Sequence, residues 1–300
     1  MSMPPAPRRP IAVGAALLSG NLLLCGCGSL GGDSGGRLSA RSYLPQSYQD
    51  SKVITVGSDL TYAPMESEGP NGAVGFDPDL AEVLGKELGV TFKFENTSFD
   101  SLLPGLAAGK FDMVMSGMTD TLDRRLGGSK DGNPRFTFVD YYISGTSLLV
   151  RKGNPRRIQT VEDICGKRVA VQLETTQVDL LKQQADKCRL QGAPLPSAVQ
   201  KENNQVTLDQ VRVGNADVQM TDTPVALFSA QQNPRLYEVP NTLFDEAPYG
   251  IAVRKKDEKL AKALQEGINN LIIDGRYQQV VDKWNLAVGA IHSATLDGGF

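Results

Sequence analysis

The order of segments along the chain predicts an α/β protein with two blocks of mostly parallel sheet, each flanked by helices. Three observations carry this reading. Short apolar runs of strand type alternate with segments of helical spacing. The alternation restarts at Arg168 after a break. The 300-residue chain, 40% hydrophobic, is long enough to bury two cores. A formal net charge of -3 excludes the basic character of a nucleic-acid binder and says nothing about a substrate.

The first stretch does not belong to the fold. Arg8 and Arg9 precede a broken apolar run from Ile11 to Leu24, too short to span a membrane and suited to an export signal. It ends in Leu24-Cys25-Gly26-Cys27, which looks like a bacterial lipobox with Cys27 as the lipidated residue. Residues 1–27 are therefore expected to be a lipoprotein signal peptide, with a plain secretory signal as the alternative. Residues 28–50, rich in glycine at their start, are expected to be a flexible tether. The body would then be lipid-anchored to the outer face of the cell membrane, or periplasmic, touching the membrane through that anchor only. In such a compartment Cys165 and Cys188 are expected to form a disulfide, two separate buried thiols being the alternative. His292 is the only histidine, so a histidine-based metal centre or catalytic triad is excluded; no metal or cofactor is expected.

In the body, Val53 to Gly57 reads as a buried strand. Asp77 then reads as the cap of a helix with Pro78 at its first position and apolar residues at Leu80, Val83, Leu84 and Leu88. Thr91 to Phe94 alternates as a strand, Asp100 opens a helix through Leu102, Leu103 and Leu106, Gly109 closes it, and Met113 to Ser116 returns as a strand. The second block has a strand at Arg168 to Gln172, a helix at Thr176 to Cys188 and a helix at Leu208 to Val213. A strand at Asp217 to Thr221 and a helix behind Pro224 complete it. Between them, Gln191 to Asn204 carries Gly192, Pro194 and Pro196 and reads as a surface excursion. A strand at Gly250 to Val253, a helix from Glu258 to Asp274 and a last helix carrying Trp284 end the chain.

Two such blocks imply a cleft, and ligands of open parallel sheets bind beyond the carboxyl ends of the strands. Ser116-Gly117-Met118-Thr119 followed by Arg124 falls there in the first block, and Asp222 in the second. Arginine pairs with a carboxylate through a planar fork, whereas aspartate accepts from an ammonium, so the two together suit a zwitterion such as an α-amino acid.

From about Val53 to Asn285 the chain resembles the bacterial extracellular solute-binding proteins for polar amino acids, family 3, which feed ABC importers. The matching segments are Val56 to Glu66, Gly75 to Ala81, Ser116 to Thr119 with Arg124, Thr175-Thr176-Gln177, Asp217 to Ala226 and Pro248 to Lys255. The resemblance implies a two-lobe periplasmic-binding-protein fold of type II, with residues 51–145 and 247–292 in lobe 1, 146–246 in lobe 2, and two crossovers as the hinge. It implies that Arg124, Thr119 and Thr176 hold the α-carboxylate, that Asp222 and the Gly117 carbonyl hold the α-ammonium, and that Tyr62 and Phe99 sandwich the side chain. Asp59, Ser116 and Gln172 would set specificity. The expected ligand is arginine, lysine or ornithine ahead of glutamine or histidine, the expected partner an ABC transporter permease, and the expected state a monomer without enzymatic activity.

One departure stands out. Relatives carry Gly-Thr-Thr where this chain has Leu173-Glu174-Thr175-Thr176. A glutamate pointing inward would suit a modified amino acid, such as an opine or ectoine. It would also suit a cyclohexadienyl-dehydratase-like enzyme on the same fold, with Glu174 as general acid.

Overall fold

The computed structural model describes residues 39–240 and 244–299. The expected signal peptide and Cys27 lie outside the described residues. Residues 39–50, expected to belong to the tether, are folded onto the body, and the rest of the expected tether lies outside the described residues. Ala40–Tyr43 form a 3-10 helix and α1 (Gln46–Ser51) follows it, with Ala40 and Leu44 fully in the core. Arg41 donates to the carbonyls of Leu88 and Gly89 at 2.8 and 3.1 Å, filling acceptors that a helix end leaves open. The glycine-rich run before it hid this segment, which itself holds no glycine; its apolar positions at Ala40, Tyr43 and Leu44 are what dock it.

Beyond β1 (Val53–Ser58), a small antiparallel sheet of β2 (Thr61–Tyr62), β3 (Glu66–Gly69) and β4 (Gly72–Val74) leads into α2 (Phe76–Leu88). Gly75 rather than Asp77 is the N-cap: Gly75 has φ +146 and its Cβ would lie 2.2 Å from the Met65 carbonyl oxygen, so only glycine fits the close approach. Asp77, displaced into the first turn, is fully buried. β5 (Thr91–Asn96), α3 (Leu102–Ala108), β6 (Met113–Val114) and α4 (Leu122–Leu126) follow as the alternation requires, Asp100 lying within a short 3-10 turn before α3. Next comes β7 (Phe136–Arg151), a 16-residue strand. The second half has β8 (Arg168–Gln172), α5 (Thr176–Leu190), β9 (Ser197–Lys201), α6 (Asn204–Arg212), β10 (Val218–Asp222), α7 (Thr223–Gln232) and β11 (Tyr237–Glu238). The expected surface excursion at 191–204 contains β9, which pairs in parallel with β8 as an edge strand. Its half-exposed Ser-Ala-Val-Gln-Lys sequence carries too little apolar alternation to announce a strand. Finally β12 (Phe244–Arg254) returns, followed by α8 (Glu258–Ile273) and α9 (Arg276–Lys283).

The main sheet runs β5-β1-β6-β12-β7-β10-β8-β9. Pairings of β1 with β5 and β6, and of β8 with β9 and β10, are parallel; those along β7 and β12 are antiparallel. β7 pairs with β12 from Phe136 to Thr146, and with β10 from Thr146 to Val150. These two long strands carry the sheet from one half to the other, with a register shift between Phe244 and Ala247 where they cross. Each half has its own apolar cores: Val56, Leu84 and Leu264 belong to the large cluster of the first, and Val169, Val171 and Met220 to one of the second. Cys165 and Cys188 are joined by a disulfide, tying the start of β8 to the end of α5.

The residues after α9 double back along β7. Asp140 N–H donates to the Thr295 carbonyl and Asp297 N–H to the Phe138 carbonyl, both at 2.9 Å. Arg125 on α4 then donates to the carbonyls of Asp297 and Gly299 at 2.8 and 2.7 Å.

Candidate functional site

The loop after β6 turns at Gly117, whose φ of +49 is the left-handed conformation open to glycine. It runs through Thr119 to α4, where the Thr121 hydroxyl caps the helix by accepting from the Arg124 N–H at 3.2 Å. The Arg124 guanidinium folds back from there. Nη1 donates to the Thr119 carbonyl and Nη2 crosses to the Glu174 carbonyl, each at 2.9 Å, while the group lies over the Phe99 ring at 5.3 Å.

The facing wall comes from the second half. β8 ends at Gln172, the Thr175 hydroxyl donates to the Gln172 carbonyl at 2.8 Å, and α5 begins at Thr176. β10 ends at Asp222. Its Oδ2 accepts from the Tyr62 hydroxyl of the first half at 2.6 Å, and its Oδ1 from Gln177 Nε2 at 2.7 Å. Gln177 is anchored by a second donation, to the Thr146 hydroxyl at 3.0 Å. Gln172 Nε2 donates across the cleft to Asp59 Oδ2 at 2.8 Å, and Asp59 Oδ1 accepts from the Thr61 hydroxyl.

Burial pushes the Asp222 carboxyl up, and the donors from Tyr62 and Gln177 and the charge of Arg124 oppose it. Burial pulls Arg124 down from its ordinary value while Asp222 pulls it back. Each group therefore supports the charged form of the other across the cleft. Asp59 is likewise pushed up by burial, against its bonds from Thr61 and Gln172.

Eight of the ten residues assigned to the site from sequence, Tyr62, Phe99, Gly117, Thr119, Arg124, Gln172, Thr176 and Asp222, surround one small cavity. Ser116 and Asp59 stand behind it: the Ser116 hydroxyl donates to Glu66 at 2.7 Å and accepts from the Asp59 N–H at 2.9 Å. Thr175 and Gln177 also line the cavity and were not assigned, although both stand in the same Thr-Thr-Gln motif. The cavity is about 10 Å³, room for about one water. Phe99, Arg124, Thr175 and Thr176 also border a chamber of about 640 Å³ outside it. Glu174 is exposed and lines the outer chamber, so its side chain does not enter the inner cavity. Among the described residues no acidic, cysteine or histidine group is arranged to hold a metal ion, and no helix is long and apolar enough to cross a membrane.

The family model described as bacterial extracellular solute-binding proteins, family 3, matches residues 54–287. The L-cystine-binding protein TcyJ of Escherichia coli is 30% identical over 234 residues, which cover 77% of this chain and 82% of that protein. Among solved structures, an ancestral arginine-binding protein bound to arginine is 32% identical with a TM-score of 0.68, covering 78% of this chain and 98% of that one. An ancestral amino acid-binding protein described as a precursor of cyclohexadienyl dehydratase is 34% identical with a TM-score of 0.69, covering 80% and 98%.

Proposed function

Because this chain belongs to the bacterial extracellular solute-binding proteins, family 3, we propose that it captures a polar or basic L-amino acid between two lobes and delivers it to an ABC transporter. The observation that carries this reading is the opposition of Arg124 and Asp222 around one cavity, each contributed by a different half of the sheet. In this reading lobe 1 comprises residues 51–145 and 247–292 and lobe 2 residues 146–246.

Arg124 offers its fork to the α-carboxylate, with Thr119 beside it and the unpaired N–H groups at the start of α5, at Thr176, favouring the same charge. Asp222 and the Gly117 carbonyl accept from the α-ammonium. Tyr62 and Phe99 flank the side chain, and Asp59 with Gln172 forms the far end of the site. Asp59 and Asp222 give the site two acids, which disfavours a dicarboxylate by like-charge repulsion. Arginine, lysine or ornithine is therefore placed ahead of glutamine or histidine, in keeping with the arginine-bound relative; the cystine-binding relative shows that a larger zwitterion can be held by a similar chain. A ligand that touches both lobes stabilises their closed arrangement, which is the form a transporter reads. The body would act as a monomer, held at the membrane by a lipid on Cys27.

The test is thermal unfolding of residues 39–300 against the proteinogenic amino acids, ornithine, citrulline, cystine, octopine, ectoine and prephenate. A ligand that binds only the folded state contributes about 2.7 kcal/mol at a hundredfold excess over its dissociation constant. A raised midpoint with arginine, lysine or ornithine is expected. A response to prephenate alone, with product formed on incubation, would replace this reading by the dehydratase one.

A further inference from the structure

Behind the cavity lies a cluster that the binding reading does not use. Glu66 and Asp77 are both fully buried, and their carboxyls lie close enough to act on each other. Glu66 Oε1 accepts from the Ser116 hydroxyl at 2.7 Å; Asp77 Oδ2 accepts from the Gly117 N–H at 3.1 Å and from the Tyr141 hydroxyl at 2.9 Å. Each carboxyl keeps one buried oxygen with no donor, Glu66 Oε2 and Asp77 Oδ1. A single proton between those two oxygens satisfies both. Two carboxylates without it would face each other unscreened in the core.

We propose that Glu66 and Asp77 are a positioning pair, a carboxylic acid and a carboxylate sharing one proton, that holds the Ser116–Gly117 loop in the shape the ligand requires. This rests on the amino-acid reading above for its effect on binding, but the shared proton does not. The loop is gripped at both residues: Asp77 fixes the peptide N–H of Gly117, whose carbonyl faces the ammonium in that reading. Glu66 fixes Ser116, whose hydroxyl accepts from Asp59 N–H, and Asp59 in turn accepts from Gln172 across the cleft. A change of charge in the pair therefore reaches the binding wall and the interlobe contact through hydrogen bonds of stated length.

The groups that face the pair are Asp59 from the turn after β1, Tyr141 from β7, and Ser116 with the Gly117 N–H from the loop after β6. Asp59 is a third acid and adds repulsion. Burial, with the Asp77 charge beside it, holds Glu66 well above the usual carboxylate range, while burial lifts Asp77 to about 6. Of the two, Glu66 is the more strongly raised, so it is the donor of the pair and Asp77 the acceptor. Both groups are raised relative to the unfolded chain, so their contribution to stability is fully present at acid pH and is lost as pH rises through the folded values.

The test compares the wild type with Glu66→Gln and Glu66→Ala between pH 6 and 9, by unfolding midpoint without ligand and by dissociation constant for whichever solute of the panel binds. Glutamine reproduces the protonated acid, with Nε2 donating to Asp77 and Oε1 accepting from Ser116, and cannot lose that proton. Relative to Glu66→Gln, the wild-type midpoint is expected to fall over this range by about 2–4 °C. Glu66→Gln is expected to keep wild-type affinity at pH 7 and to lose less of it toward pH 9, while Glu66→Ala weakens binding about tenfold at every pH. Loss of affinity shared by wild type and Glu66→Gln at alkaline pH belongs to the ligand's own ammonium. Parallel unfolding profiles for the two proteins, or a Glu66→Gln variant as weak as Glu66→Ala, would overturn the proposal. If no solute binds the wild type, the amino-acid reading fails, and the ligand-free profiles still decide whether the proton is shared.

Discussion

Glu174 holds a left-handed backbone, φ +59, at the point where its carbonyl receives Arg124 from the other half. A residue with a Cβ strains there, and the exposed side chain supplies no compensating contact inside the inner cavity. Glu174→Gly is expected to raise stability by about 1 kcal/mol, read as a higher denaturant midpoint with an unchanged slope. Arg124 is the opposite case, a half-buried cation whose charge Asp222 supports. In the amino-acid reading Arg124→Ala should cost about 2–5 kcal/mol of binding in a calorimetric titration; unchanged affinity would remove the clamp assignment. The residue types of Arg124 and Asp222 were legible because few groups recognise both ends of a zwitterion. The hydroxyl of Tyr62 on Asp222 and the part of Gln177 were not, because a tyrosine or glutamine in sequence does not say which acceptor it will meet. Nor did Asp77 reveal itself: aspartate before proline signals a helix start by pattern, and only the tight passage of Gly75 moves the cap back and sends the carboxyl into the core.

At the scale of elements, the strands and helices with strong periodicity, β1, α2, β5, α3, β8, α5 and β10, stand close to where their apolar spacing puts them. β7 was illegible, since its burial on both faces, from Phe136 through Tyr142, leaves no alternation to read. The disulfide at the end of α5 closes a loop with a sequence separation of 23, and the chain-entropy model gives such a loop about 3 kcal/mol. Replacing Cys165 and Cys188 by serine should lower the unfolding midpoint, because the bridge lies away from the cavity, while leaving ligand affinity near that of the wild type. A comparable loss of affinity would mean that α5 carries the bridge's effect to Thr176.

For the whole molecule, buried acids outweigh paired ones in setting the response to pH. Burial lifts Asp77 and Asp140 to about 6, so the stability they contribute is complete below their unfolded value of 3.8 and lost as pH rises through 6. Asp217, despite burial, is held at about 2 by Arg168, so its contribution is present above 3.8 and lost as pH falls toward 2. The unfolding midpoint is therefore expected to peak between these windows and to fall from pH 5 to pH 7, as scanning calorimetry without ligand would show. The sheet order has one more consequence, for the time in which the protein is made. β12 lies between β6 and β7, yet residues 152–243, about ninety residues of the second half, are synthesised between the end of β7 and the start of β12. The first half must wait, with its middle strand missing, until the second half has emerged, so the half that begins the chain is the one that finishes folding last.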